Sequence, residues 1–219
     1  MNKKYELVTY NKETGLWRIR ALRDFGNVKA GDFGGWVSGE HNLSQYETCW
    51  VYGNAIVSGE ARIFNNARIS GDARISVDAR ISGEAQVFGK AKIFDNARVY
   101  GDACVFGDAW IYGNAQVFDD ARVFDNAQVS GYAWVHGDAA VRFDMRICHA
   151  HHDKFIRFYD LGVHSITVDG EHLNIGCESR TIKEWLEIAS IVGKKEGYTE
   201  EEIRRYVKQI QLIHDEVYN

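Results

Sequence analysis

Proline is absent from all 219 residues, where average usage near 5% would place roughly 11. Its absence excludes a proline-rich linker, a collagen-like repeat and a native cis-proline switch. Cysteine is sparse: Cys49, Cys104, Cys148 and Cys177 are widely spaced and form no CxxC pair, so neither a disulfide framework nor a zinc ribbon is expected. No apolar run approaches the roughly 18 residues of a membrane span, and the lysine-bearing N-terminus leads into no signal-type apolar core. A net charge of -5 supplies no general attraction to nucleic acid or to an anionic membrane. The expectation is a cytoplasmic protein with reduced thiols and no membrane partner, for which direct nucleic-acid binding is not expected.

What is present is a period. From Ala55 to Ala139 an alanine falls at every sixth position, 15 in all against five elsewhere in the chain. Two residues after each alanine stands a valine or isoleucine, and this aliphatic column runs from Val51 to Val141 in 16 consecutive hexads. On an α-helix six residues advance about 600°, which would spread the column over three sides. In a strand of period two, the alanine and the aliphatic residue both face inward. Pairs such as Gly71-Asp72 and Gly113-Asn114 stand between them and supply corners. Each hexad is therefore a short strand plus a corner, and stacked coils at about 4.8 Å enclose a continuous core.

The order in Val99-Tyr100-Gly101-Asp102-Ala103-Cys104 resembles the hexapeptide repeat of left-handed parallel β-helices. The leader Arg20-Ala21-Leu22-Arg23-Asp24-Phe25-Gly26, with Val28 to Trp36 and Asn42-Leu43-Ser44, looks like the N-terminal segment of YdcK-like hexapeptide proteins, frequent in phages and bacteria. Ile175-Gly176-Cys177 and Thr181-Ile182-Lys183-Glu184-Trp185 are similar to the segment that closes their solenoid. The resemblance implies three hexads per coil, hence about five coils over residues 49–144. The expected architecture is mainly β: a left-handed parallel β-helix with a β-rich N-terminal cap over 1–48 and a C-terminal domain over 145–219. In the cap, Tyr5–Tyr10 and Leu16–Leu22 read as strands, with Trp36 and Trp50 as bulky plugs. In the C-terminal domain, Ser165–Val168 and His172–Ile175 read as a β-hairpin. Capping boxes at Thr181/Glu184 and Thr199/Glu202 then open two helices. The helices are expected to bury Ile182, Trp185, Leu186 and Ala189, then Ile203, Tyr206, Val207, Ile210, Ile213 and Val217.

With residues 18 apart stacked, the outward position after each aliphatic residue yields aromatic ladders: Phe88, Phe106 and Phe124; Phe94 and Tyr112; Tyr100 and Phe118. Outward aromatics on a strand mark an apolar patch for a protein partner or for another copy of the chain, or else a stack that stabilises the sheet. Charge is polarised: residues 49–92 carry six basic and four acidic side chains, and residues 93–144 three and eight. Arg62, Arg80 and Arg98 stack in a column that runs from the basic part just into the acidic one, and Glu84, Asp102, Asp120 and Asp138 form an acidic corner column that starts in the basic part and continues through the acidic one. That column invites a cation or mimics nucleic-acid phosphates, or is simply a row of solvated turn formers.

The principal functional expectation is a non-enzymatic interaction protein without cofactor, presenting these ladders to a protein partner or to its own copies. The phage-type resemblance implies a host antiviral defence complex as a specialised target. The runner-up is a trimeric hexapeptide-repeat acyltransferase with an acyl-CoA-type donor and His136 as its base, since many proteins of that repeat type are acyltransferases. His149 and His151 share a side in an extended chain and form the weaker candidate for a zinc site.

Overall fold

A computed structural model describes residues 3–137, 139–142, 146–147, 157–160, 165–169, 172–175 and 178–218. The chain divides into two units, residues 1–144 and 145–219.

In the first unit, strands β1 (Tyr5–Asn11), β2 (Leu16–Ala21) and β3 (Phe33–Val37) precede sixteen two-residue strands, β4 (Trp50–Val51) to β19 (Ala140–Val141), spaced by six residues. The sixteen stack as three parallel faces. Face 1 carries β5 (Ile56–Val57), β8 (Arg74–Ile75), β11 (Lys92–Ile93), β14 (Trp110–Ile111) and β17 (Gln128–Val129). Face 2 carries β6 (Arg62–Ile63), β9 (Arg80–Ile81), β12 (Arg98–Val99), β15 (Gln116–Val117) and β18 (Trp134–Val135). Face 3 carries β4, β7 (Arg68–Ile69), β10 (Gln86–Val87), β13 (Cys104–Val105), β16 (Arg122–Val123) and β19. Register is 18 residues at every step, as in Ile63↔Ile81 and Ile81↔Val99.

Periodicity turns into a core because each of the two inward positions of the hexad keeps one size class, alanine at one and valine or isoleucine at the other. Each Val or Ile of the inward column, taken every sixth residue from Val51 to Val141, is at most 1% exposed, and each alanine from Ala55 to Ala133 is 0% exposed. Burial of one such Val or Ile contributes about 1.5–3 kcal/mol.

One hexad shows why proline is missing. Ala79 N–H donates to Ser76 O (3.3 Å), Arg80 N–H to Ala97 O (3.0 Å), Ser82 N–H to Val99 O (3.0 Å) and Glu84 N–H to Gly101 O (2.8 Å). The ladder thus continues through the corner, and proline at any of these positions would delete a donor. Gly83 donates to none of these, and it sits at φ +70°, which the proline ring, fixed near about -65°, cannot adopt.

The solenoid begins earlier than the alanine column. Trp36 and Val37 of β3 pair in parallel with Ile56 and Val57, and Leu43 bridges to Ile63. With Val51 they form a first coil, so the inward aliphatics group into six coils, the last being Val129, Val135 and Val141. A short 3-10 turn, Glu40–Asn42, bends this coil. Buried Asn42 stitches it: Oδ1 accepts from Ser38 N–H (2.9 Å) and Gly39 N–H (3.0 Å), and Nδ2 donates to Gly59 O and Ala61 O (both 2.9 Å).

Antiparallel β1 and β2 extend face 1 through β3. Trp50, 1% exposed, is met edge-on by Tyr5 and Phe25, whereas Trp36 is only half-buried, with Arg18 over its ring. Lys4 is wholly buried, and its ammonium donates to Tyr46 O (3.0 Å), Cys49 O (2.9 Å) and Cys49 Sγ (3.2 Å). Burial pulls the Lys4 ammonium below its ordinary range and pushes the Cys49 thiol up, while their mutual contact opposes both shifts.

Tyr5 supplies a titratable strut: its hydroxyl donates to Leu43 O at 2.7 Å and to Glu40 O at 3.1 Å. Burial, with Glu40 and Cys49 adding to it, holds that hydroxyl well above its ordinary value of 10.0. The raised group contributes stability that is complete below pH 10 and is lost as pH rises toward its folded-state value. Tyr5→Phe is expected to cost about 1–2 kcal/mol at neutral pH by leaving buried carbonyls without their donor. It should also flatten the fall in urea-unfolding stability above pH 10. An alkaline slope as steep as that of the unchanged chain would contradict this assignment.

The second unit contains β20 (Arg146–Ile147) and a four-stranded antiparallel sheet in the order β21 (Arg157–Asp160), β22 (Ser165–Asp169), β23 (His172–Ile175), β24 (Glu178–Thr181). The expected hairpin is β22–β23, and β21 and β24 flank it. Helices α1 (Ile182–Lys195) and α2 (Glu200–Tyr218) follow. Thr181 Oγ1 accepts from Glu184 N–H at 3.2 Å while the Glu184 carboxylate accepts from Thr181 N–H at 2.9 Å, and Thr199 and Glu202 repeat the exchange. Leu173, Ile175, Ile182, Trp185, Ala189, Tyr206, Ile210 and Ile213 form the core, with Leu186 and Val207 partly buried against it. The Val217 side chain lies outside the described residues.

Candidate functional site

The outward positions are built by the same register that builds the core. On face 3, Phe88, Phe106 and Phe124 stack with centroids 4.9 Å apart at each step and planes within 5°. On face 1, Phe94 and Tyr112 stack at 5.1 Å; on face 2, Tyr100 and Phe118 stack at 4.9 Å. These spacings equal the strand separation, so each ring is held at the pitch of its backbone. The ladder therefore presents ring edges outward, because the faces of interior rings are covered by their neighbours.

Several side chains outside the ladders brace them. Trp110 meets Phe94 edge-on and Trp134 meets Phe118 edge-on, each at 6.2 Å. Lys92 Nζ lies 4.5 Å from the Trp110 ring, and the Arg122 guanidinium lies 5.7 Å from both Phe106 and Phe124. Trp110 and Trp134 stand one residue before the inward aliphatic, on the strand itself, and the aromatic column considered from sequence is the one that follows it. Reading both outward columns at 18-residue spacing would have placed them beside the ladders.

Arg62, Arg80 and Arg98 are register partners on face 2 and all three are exposed. In the acidic column, Glu84, Asp102 and Asp120 are exposed corner residues, and Glu84 Oε1 accepts from Asn66 Nδ2 at 2.6 Å. Asp138 lies outside the described residues, as do His149 and His151. Among the described residues no group of His, Cys, Asp and Glu has the geometry to hold a metal ion, and no helix is long and apolar enough to cross a membrane. His136 is the next rung above Phe118, its ring 5.0 Å away and within 10° of parallel. That places the imidazole in the ladder, as a stacked plane.

No curated protein matches the chain. Residues 97–113, 115–131 and 121–137 match the model described as the YdcK beta solenoid repeat. These segments run from β12 to β18, the part of the solenoid that carries most of the stacked aromatics. The matches start 18 and then six residues apart, in step with the hexad, and over residues 97–137 the solenoid is similar to the YdcK beta solenoid repeat.

Proposed function

We propose that the protein is a non-enzymatic scaffold whose face 3 ladder, Phe88, Phe106 and Phe124, docks a protein partner. The observation that carries this reading is the ladder's construction: three parallel rings 4.9 Å apart at each step, fixed to a close-packed backbone. Outward strand positions that face only water are ordinarily polar, and a rigid apolar row loses little side-chain entropy when a partner covers it. Arg122, poised over two of the rings, adds the kind of cationic rim that selects partners by charge. A host antiviral defence complex is the narrower form of this partner, and its support is the family resemblance alone. For the acyltransferase alternative, the stacking of His136 on Phe118 supports a structural use of that imidazole.

The test replaces Phe88, Phe106 and Phe124 together with serine, the residue that occupies the same rung at Ser70 on this face. Affinity capture from a bacterial lysate should recover a stoichiometric partner with the unchanged chain and lose it with the triple variant. Far-UV circular dichroism of the two proteins should coincide. Equal recovery by both would reject face 3 as the docking surface, and light scattering across concentration separates a foreign partner from a second copy.

A further inference from the structure

Face 2 carries a rung that the chain itself does not fill. Its outward column reads Phe64, Ser82, Tyr100, Phe118, His136, each residue one coil above the last. Tyr100, Phe118 and His136 are stacked at 4.9 and 5.0 Å, and the Tyr100 hydroxyl is tied upward to Gln116 Oε1 at 3.2 Å. Below Tyr100 comes Ser82, whose N–H is bonded to Val99 O and whose side chain is short. Below that, Phe64 repeats the aromatic; its N–H is bonded to Ile81 O at 3.1 Å. Phe64 and Tyr100 are thus two strand spacings apart, about 9.6 Å. A planar group midway would lie at the 4.9 Å pitch that the ladder already uses. It would stack against the upper face of Phe64 and the lower face of Tyr100, with the Ser82 hydroxyl beside it as donor or acceptor.

The column alongside is Arg62, Arg80 and Arg98, at the same three levels. All three are exposed, and among the described residues none has an ion-pair partner, the corner carboxylates Glu60, Asp78 and Glu84 included. Three adjacent like charges on neighbouring strands are unfavourable unless something anionic meets them. Guanidinium groups are also well suited to phosphate, which they grip with paired donors. The second unfilled rung, Ser70 between Tyr52 and Phe88 on face 3, has only Arg68 at its level, flanked by buried Trp50 and by Gln86.

From an aromatic slot one rung wide beside three uncommitted guanidiniums, we infer that face 2 binds a nucleotide: the base fills the rung over Ser82 between Phe64 and Tyr100, and the phosphates lie along Arg62, Arg80 and Arg98. This site is separate from the protein-docking ladder on face 3 and stands or falls independently of it.

Titration calorimetry of the full chain at low salt, without magnesium, tests the assignment with three probes: ATP, adenosine and inorganic tripolyphosphate. ATP should bind at one equivalent and more tightly than either half-molecule. Ser82→Phe, which supplies the missing ring, should weaken ATP by at least about tenfold while leaving tripolyphosphate unchanged. Arg80→Ala should weaken ATP and tripolyphosphate alike. Should Ser82→Phe not fold, Phe64→Ser removes one wall of the slot at a position whose counterparts Ser70 and Ser76 already tolerate serine, and the same selective loss is expected. The inference is overturned if ATP does not bind, if adenosine binds as tightly as ATP, or if ATP is no tighter than tripolyphosphate and indifferent to Ser82→Phe.

Discussion

Gly83→Ala is expected to destabilise the solenoid by about 3 kcal/mol, a large cost for adding one methyl group at a partly exposed corner. The first contribution is conformational: Gly83 sits at φ +70°, where a Cβ costs roughly 1–2 kcal/mol. The second is steric. A Cβ there would lie 2.7 Å from both the nitrogen and the oxygen of Gly101, one coil above. Both are backbone atoms, so relief requires the coils to separate. Separation stretches the Glu84 N–H to Gly101 O bond, now 2.8 Å, worth about 1 kcal/mol. Gly137 supplies the control: it has φ +61° and nothing within 4 Å of a Cβ, so Gly137→Ala should show the conformational part alone, about 1 kcal/mol.

The corners also show which side chain repairs the defect. Asp95 and Asp119 occupy the same left-handed conformation at φ 58° and 56°, and each returns a hydrogen bond to the coil above. Gly113 N–H donates to Asp95 Oδ2 at 3.1 Å and Gly137 N–H to Asp119 Oδ2 at 3.3 Å. Gly83→Asp should therefore recover part of the loss that alanine suffers, although aspartate is larger. Urea unfolding followed by far-UV circular dichroism ranks the three variants, and an aspartate variant less stable than the alanine one would refute the role given to the carboxylate. By the same reasoning Val77, a β-branched residue at φ 61° and half exposed, is the corner where glycine should raise stability.

Legibility of the sequence ended where the period ended. The run from Ala55 was readable because each hexad repeats the same inward pair, and its strands stand where that pattern puts them. The first coil was not, because Val37, Leu43 and Val51 are spaced by six and then eight residues, with no alanine column beneath them. Its stability comes from contacts distant in sequence, such as Lys4 to Cys49 and Tyr5 to Leu43, and no local propensity announces a buried lysine. In the C-terminal unit the two capping boxes were explicit signals and open the helices as expected. The strands Arg157–Asp160 and Glu178–Thr181 lack clean alternation and owe their state to pairing with the hairpin. Of the outward residues, the stacked rings followed directly from spacing. The slot on face 2 did not, because it is defined by a serine where an aromatic would complete the row.

Ile93→Ala is expected to have the largest single effect, about 2–5 kcal/mol. Ile93 is fully buried, stands in the fourth of six coils and lies in register between Ile75 below and Ile111 above. Truncation removes three carbons from a layer made of three alanines and three aliphatics, and none of the alanines can move in to fill the space. The coils above and below are fixed at the strand spacing by unbroken hydrogen bonds, so collapse is opposed on both sides. Because a solenoid's stability is a sum over neighbouring coils, a central cavity weakens the layers on both sides, where one at an end leaves only a frayed coil. Ile93→Val should cost only about 0.5–1.5 kcal/mol, since valine already occupies the neighbouring inward positions Val87 and Val99. Denaturant unfolding should show the alanine loss as a lower midpoint with an unchanged slope. A loss below about 1 kcal/mol would mean that the interior yields more than a close-packed layer can, and the rigidity on which both ladders depend would have to be abandoned with it.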